Sequence, residues 1–165
     1  MKVKFKRVRT LAQVEKVIQL AHIIWNEHYI PIIGKDQVDY MLNNFHSADS
    51  ITDEISDENN HYYLIESNDV EVGYIGVKLE KESLFLSKLY VLSTERGMGA
   101  GSQSIAFIRE LSLANKLNKI TLTVNKYNTN SIAAYKKIGF ETIGEICTDI
   151  GQGYVMDDYQ MEFKF

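Results

Sequence analysis

The chain has 165 residues, of which 45% are apolar and 24% charged, and its 18 Lys and Arg against 22 Asp and Glu give a net charge of −4. One domain spanning residues 1–165 is expected at this length, and without a basic block no nucleic-acid partner is expected. Its single Cys excludes an internal disulfide and a zinc site built from cysteines and fits a reducing compartment, so we expect a cytoplasmic location.

The N-terminal segment predicts a strand followed by a helix. Residues 2–9 alternate apolar and basic side chains, as an edge strand does, and Thr10 with Gln13 forms a capping box that begins a helix. Apolar residues then recur at steps of three and four as far as Trp25, and Pro31 ends the pattern. Polar residues interrupt this apolar stripe, so neither a signal segment nor a membrane span is predicted.

Two short helices and three strands are predicted next. Helical spacing continues over residues 38–45, and Ser47 begins a further helix through Ile55. Short turns then separate three strands, which predicts antiparallel pairing of His61–Glu66, Val70–Leu79 and Ser83–Leu92.

The second half predicts a parallel crossover and a closing pair of strands. After a glycine-rich loop, apolar residues from Ile105 to Leu117 mark a helix, and residues 120–124 mark a strand, which we expect to lie parallel to the strand before the loop. A last helix over residues 131–138 ends at Gly139, and strands near residues 140–147 and 154–163 close the chain. The fold class is therefore mixed α/β (α+β), with a mostly antiparallel central sheet of about seven strands flanked by helices.

The most informative segment runs from residue 89 to residue 102, out of a strand and into a helix. It contains three glycines at alternate positions, Gly97, Gly99 and Gly101. Such spacing lets the backbone approach a ligand and leaves N–H groups pointing outward beside the positive end of a helix dipole. Arg96 adds a cation able to form a charge-assisted bond to a diphosphate. The loop therefore predicts an anion site, and a glycine turn that serves packing alone is the alternative.

Two common phosphate-binding motifs do not match this loop. A P-loop requires Gly-Lys-Ser/Thr, whereas Gly101 is followed here by Ser102 and Gln103, without the Lys. A dinucleotide fold requires a later third glycine and an acidic residue at the end of the next strand, where this chain has Asn125 and Lys126.

The pattern from Arg96 to Gly101, followed after one helix and one strand by the segment Asn128–Phe140, resembles the GCN5-related N-acetyltransferases, the GNAT family. With the order of the predicted elements, the resemblance extends from about residue 3 to residue 163. It implies a single GNAT domain that binds acetyl-CoA, without metal, in a gap where two neighbouring parallel strands splay apart.

The resemblance also implies which residues bind acetyl-CoA. The backbone of the strand before the loop would pair with the pantetheine, the loop N–H groups would surround the diphosphate, Asn128 would bond near the pantetheine, and Lys137 would lie near the phosphates or in solvent. The implied set is Leu89, Tyr90, Val91, Arg96, Gly97, Met98, Gly99, Ala100, Gly101, Ser102, Asn128 and Lys137.

The implied activity is acetyl transfer from acetyl-CoA to a primary amine of a small molecule or peptide by direct attack. A backbone N–H between Leu89 and Val91 would polarise the carbonyl. Tyr135, at the tyrosine position of the family, would donate a proton to the CoA sulfur; its alternative role is to pack its helix on the sheet. A non-catalytic sensor or structural protein that binds CoA or acyl-CoA is the alternative function.

The general base is less clearly indicated. We select Glu27 first, because it lies in the cluster Trp25–Tyr29 whose aromatic rings and polar atoms suit an acceptor pocket. Asp157 and Asp158 are second choices, and a chain of ordered water is a third.

Two further expectations concern the end of the chain. Cys147 is expected to be a small core residue and not a nucleophile, because no His stands near it in sequence. The aromatic strand over residues 154–163 is expected at an exposed sheet edge, where it would suit a homodimer contact.

Overall fold

The computed structural model describes residues 2–165, which form a single seven-stranded sheet with six α-helices. The strands are β1 (Val3–Arg7), β2 (Asn60–Ser67), β3 (Val70–Leu79), β4 (Leu84–Val91), β5 (Lys119–Asn125), β6 (Glu141–Gly151) and β7 (Tyr154–Lys164). The helices are α1 (Leu11–His28), α2 (Ile30–Ile33), α3 (Lys35–Phe45), α4 (Ala48–Ser56), α5 (Ala100–Ala114) and α6 (Thr129–Ile138).

The sheet has the order β1-β2-β3-β4-β5-β7-β6, and β4 with β5 forms the parallel pair predicted from the crossover. The other neighbouring strands pair antiparallel. The mixed, mostly antiparallel fold class is therefore confirmed. Among residues 2–165 the structure contains no helix with the length and apolar character needed to cross a membrane.

The helix starts follow from local chemistry. The Thr10 side chain accepts a bond from the Gln13 backbone N–H, and the Gln13 side chain bonds back, so the predicted capping box begins α1. Ser47 caps α4 in the same way with Ser50. Pro31 does not end α1 directly, because α1 stops at His28 and the proline lies in the short α2.

Helices cover both faces of the sheet. On one face α5 and α6 enclose a core that includes Ile105, Ile108, Leu122 and Met161. On the other face α1, α3 and α4 enclose a core that includes Trp25, Val38, Ile51 and Tyr74. Helix α3 also joins the β6–β7 hairpin, since the Tyr40 hydroxyl donates to the Ile150 carbonyl and Gln37 Nε2 donates to the Val155 carbonyl at 2.9 Å.

Two expectations for the last third of the chain are wrong. Strand β7 is not an edge, because it lies between β5 and β6, and the outer strand is β6. The chain crosses past β5 to place β6 outside and then returns through the hairpin to fill the position next to β5. Cys147 is exposed and not a core residue, because it lies on this outer strand, most of whose side chains face solvent.

Candidate active site

A gap opens in the sheet where β4 and β5 diverge. The two strands pair only from Leu84 with Ile120 to Leu86 with Leu122. A register shift in β4 follows beside Gly76 and Val77 of β3, and beyond it β4 continues along β3 while β5 continues along β7. The second half of β4 therefore has a backbone edge without a neighbouring strand.

The hydrogen bonds between β3 and β4 show which groups face this gap. The Leu92 N–H donates to the Val72 carbonyl at 2.8 Å. Main-chain polar groups alternate in direction along an antiparallel strand, so Tyr90 also bonds toward β3, whereas Leu89 and Val91 present theirs to the gap. Two of the three strand residues implied by the resemblance thus turn main-chain groups to the gap, although the Val91 carbonyl already accepts from Arg96 Nε, and Tyr90 contributes its side chain instead.

The N-terminus of α5 lies just beyond this strand. Gly99 precedes the helix with φ +89°, and no side chain caps it. No hydrogen bond in the described part of the chain uses the N–H groups of residues 99–102, which are the first of the helix. Gly97, at φ +77°, and Gly101 have open space where a Cβ would stand. These uncapped N–H groups form a cradle suited to an anion.

The two predicted cations lie differently around this cradle. Arg96 is exposed, and its Nε donates to the Val91 carbonyl at 3.0 Å, so the guanidinium lies over the free edge of β4. Met98 is exposed beside it, as its neighbouring glycines are. Lys137 is an exposed residue in the last turn of α6, and the structure shows no contact that ties it to the cradle.

Asn128 joins the far side of the gap to the end of α1. It is buried just before α6, its Nδ2 donates to the Tyr29 hydroxyl at 3.3 Å, and its Oδ1 lies 3.1 Å from His28 Nε2. Because an amide oxygen only accepts, His28 Nε2 carries the proton. Burial lowers the pKa of His28, which the Asn128 bond partly offsets and Arg96 reinforces, so the imidazole is neutral at pH 7.

Tyr29 is the centre of this polar group. Its hydroxyl accepts from Asn128, its ring stacks on Trp25 at 4.3 Å between centroids, and the same ring meets Tyr90 edge-on at 6.1 Å. Burial raises the pKa of Tyr29, and the charge of Asp158 raises it further. Tyr29 therefore remains protonated and brings residues of three separate elements together at the gap.

Tyr135 reaches the same place from the other side of the sheet. Its ring packs against Phe140 at 5.3 Å and contacts the α5–α6 core, so it does hold its helix on the sheet. Its hydroxyl also lies within electrostatic range of Tyr29 and Tyr90. Burial raises the pKa of Tyr135, which keeps the phenol protonated, as a proton donor must be.

The candidate bases differ in their surroundings. Glu27 is exposed on the last turn of α1, and its Oε2 accepts a bond from Ser93 Oγ at 2.9 Å, which places it near the start of the loop. Asp157 is bonded to Lys126 Nζ at 2.9 Å. Asp158 is buried, and its Oδ1 has no partner among the described residues.

Burial raises the pKa of Asp158 from 3.8 to about 6, with a further increase from the neighbouring Asp157 and a smaller opposing effect of Lys126. Nothing in the sequence indicates which of the two adjacent aspartates is buried. Pairing of β7 with β5 decides it, since Asp158 lies opposite Asn125. In the sequence, Tyr29 stands out only as one member of the aromatic cluster Trp25–Tyr29.

Comparison with known protein sequences identifies a family and a relative to which this chain is similar. A model described as the acetyltransferase (GNAT) family matches residues 18–140. An uncharacterised N-acetyltransferase, YobR of Bacillus subtilis (strain 168), is 38% identical over 60 residues, which are 36% of this chain and 24% of that protein. This chain thus matches about a quarter of the length of that relative.

Solved structures share the fold at low sequence identity. The PaiA N-acetyltransferase of Thermoplasma acidophilum, crystallised in complex with coenzyme A, superimposes with a TM-score of 0.85 over 100% of both chains at 18% identity. A GCN5-related N-acetyltransferase of Rhodopseudomonas palustris gives a TM-score of 0.83 at 13% identity, over 100% of this chain and 97% of its own. The seven-stranded sheet with a diverging parallel pair is common to such proteins.

Proposed function

This chain belongs to the GNAT family of acetyltransferases, and we propose that it transfers the acetyl group of acetyl-CoA to a primary amine by direct attack of the amine nitrogen. The observation that carries this proposal is the continuity of two unsatisfied surfaces. The free edge of β4 leads directly into the uncapped N-terminus of α5.

These two surfaces match the two chemically different parts of coenzyme A. The amide groups of pantetheine complete the backbone pairing of Leu89 and Val91, as an added strand would. The N–H groups of residues 97–102 then bind the diphosphate, with Arg96 as the nearest cation. In this arrangement the thioester lies between β4 and β5, beside Tyr135 and Tyr29. That one solved neighbour holds coenzyme A supports the same assignment.

The residues around the gap can supply two of the needs of acetyl transfer. A gap-facing N–H of Leu89 or Val91 stabilises negative charge on the carbonyl oxygen as the nitrogen attacks. Tyr135 donates its phenolic proton to the leaving sulfur and regains a proton from the amine nitrogen. Atoms balance because the new C–N bond replaces the C–S bond, and the thiol leaves protonated.

The acceptor enters from the face covered by α1 and α3, since Tyr29, Tyr90 and Asn128 line that side of the gap. We propose a small molecule or a peptide terminus with an alkyl amine as acceptor. For self-association we propose the free edge of β6 in place of the interior β7.

The proposal is tested by measuring thiol release from acetyl-CoA with spermidine, an aminoglycoside, benzylamine and a short peptide as acceptors. We expect release with at least one amine and a loss of about 10²-fold in kcat for Tyr135→Phe, with little change in the KM for acetyl-CoA. Tyr154→Phe, on the distant β6–β7 hairpin, is the matched control and should retain activity.

Acetyl-CoA that binds without thiol release above background for any amine would instead support the non-catalytic sensor. Full activity of Tyr135→Phe would leave the tyrosine with its packing role alone.

A further inference from the structure

Asp158 is a buried carboxylate on β7, the strand that lies beside β5. Asp158 lies on β7 with 8% of its surface exposed. Side chains alternate along a strand, so Asp158 shares its face with Met156, which packs in the core under α1 and α3. The carboxylate therefore points to the side of the sheet where Tyr29 and Tyr90 line the gap.

One oxygen of this carboxylate lacks a partner. Asp158 Oδ1 is buried and accepts no hydrogen bond from the described residues. A buried charged oxygen without a donor costs more than a neutral one, and such atoms are rare in folded proteins. A donor supplied by a ligand would remove this cost, and an ammonium group carries three N–H donors.

No charged side chain among the described residues pairs with the Asp158 carboxylate. Lys126, after β5, is bonded to Asp157 and to Glu145, at 2.9 and 3.1 Å. Asp157, on the same strand, adds negative charge. From α1 the facing group is the neutral Tyr29, and Arg96 acts on that hydroxyl from the loop after β4. The residues opposite on β5 and β6 are Asn125 and Ile146, which carry no charge.

We propose that Asp158 binds the acceptor amine as an ammonium ion and accepts its proton before the nitrogen attacks. This inference rests on the proposed acetyl transfer and assigns the base within it. The N–H bond of the ammonium breaks, the proton forms an O–H bond with Asp158, and the nitrogen keeps the electron pair with which it attacks. The proton then passes to solvent after product leaves.

Asp158 suits this role better than Glu27. The Glu27 carboxylate is exposed and already accepts a bond from Ser93. Asp158 is enclosed on the same side as the aromatic lining of the gap, where an ammonium group gains from both charge and cation–π attraction. The acceptor class that follows is an alkyl amine that is protonated in solution.

The experiment compares kcat/KM against pH for wild type, Asp158→Asn, a control variant and a variant of the rival base, using the fastest amine of the acceptor panel. The control is Asp149→Asn, which alters an exposed aspartate on β6, and Glu27→Gln tests the rival base. For wild type we expect kcat/KM to rise with pH and level off above about pH 6. At pH 7.5 we expect Asp158→Asn to lose about 10²-fold and Asp149→Asn to stay within threefold of wild type.

A base can be replaced by higher pH, whereas a purely structural residue cannot. An alkyl amine has a pKa of about 10. For Asp158→Asn we therefore expect kcat/KM to rise about tenfold per pH unit up to the pKa of the amine and to approach the wild-type value there. Affinity for coenzyme A, measured by calorimetry, should be unchanged in this variant, which also shows that it is folded.

Three results overturn the inference. Asp158→Asn within threefold of wild type at pH 7.5 removes Asp158 as the base while leaving acetyl transfer intact. If Glu27→Gln, and not Asp158→Asn, loses kcat/KM at pH 7.5 and recovers it at high pH, the base is Glu27. Absence of transfer by wild type to every amine contradicts the proposed function itself, and the assignment of Asp158 with it.

Discussion

At the scale of single residues, the site depends on a few polar side chains whose environment the fold sets. Tyr29, Tyr90 and Tyr135 come from three parts of the chain, and each lies within electrostatic range of the other two. Burial keeps all three hydroxyl groups protonated. The carboxyl group of Asp158 is therefore the group beside these tyrosines that changes charge near neutral pH. The chemistry of the gap is therefore expected to depend on that one titration.

The pKa of Asp158 also predicts a dependence of stability on pH that requires no activity. Burial raises this pKa in the folded state to about 6, above its ordinary 3.8. Proton uptake therefore stabilises the folded state at low pH, and this contribution is lost as pH rises through about 6. Relative to wild type, Asp158→Asn should gain about 2 kcal/mol in free energy of unfolding between pH 4 and pH 8.

Urea unfolding at the two pH values measures this difference. Asp149→Asn is the matched control, and it should show no such gain, because its side chain is exposed on the outer strand β6. If the difference in free energy of unfolding between Asp158→Asn and wild type is the same at pH 4 and pH 8, the Asp158 carboxyl titrates as it would in water.

At the scale of elements, we expect the junction between β4 and α5 to determine the affinity for coenzyme A. Gly99 adopts φ +89° immediately before the helix, and Gly153 adopts φ +80° in the β6–β7 turn. Alanine at either position meets a backbone conformation that costs about 1–2 kcal/mol. We predict that Gly99→Ala and Gly153→Ala lose similar stability, whereas only Gly99→Ala weakens coenzyme A binding, by about tenfold.

Chemical unfolding and isothermal titration with coenzyme A separate these two effects. Equal dissociation constants for the two variants would mean that the cradle does not bind the diphosphate.

The local elements were predictable because their signals lie close together in the chain. The capping box of Thr10 and Gln13, the turn before Val70 and the glycines of the loop each involve a few neighbouring residues. The place of β7 was not predictable, since the hairpin fits either order beside β5. The error for Cys147 follows from the same strand order, because an apolar neighbour does not reveal which strand is outermost.

The same limit applies to the site, where features formed by neighbouring residues were predictable and contacts between distant elements were not. The strand and loop that border the gap are contiguous, so the motif that resembles the GNAT family locates them together. The side of the gap that we propose for the acceptor is formed by α1, β4, β7 and the residue before α6, and their contacts arise only on folding. For this reason Glu27 was selected over Asp158, whose burial depends on its pairing with Asn125.

At the scale of the whole molecule, the gap separates the second halves of β4 and β5, and the end of α1 forms contacts on both sides of it. Helix α1 packs against β3 and β4, and Tyr29 and His28 at its end bond to Asn128, beyond β5. A ligand that pairs with β4 would add a further connection across the gap. Binding is therefore expected to protect backbone groups that the protein alone leaves unpaired.

Amide hydrogen exchange measured residue by residue, with and without acetyl-CoA, tests this most directly. We predict that the amides of Leu89, Val91 and residues 99–102 exchange rapidly in the free protein and slow by at least about tenfold with acetyl-CoA. The Tyr90 amide, which bonds toward β3, should be slow in both states and serves as the internal control. Unchanged exchange at Leu89, Val91 and residues 99–102 under saturating acetyl-CoA would contradict the assignment of this edge and cradle as the binding site.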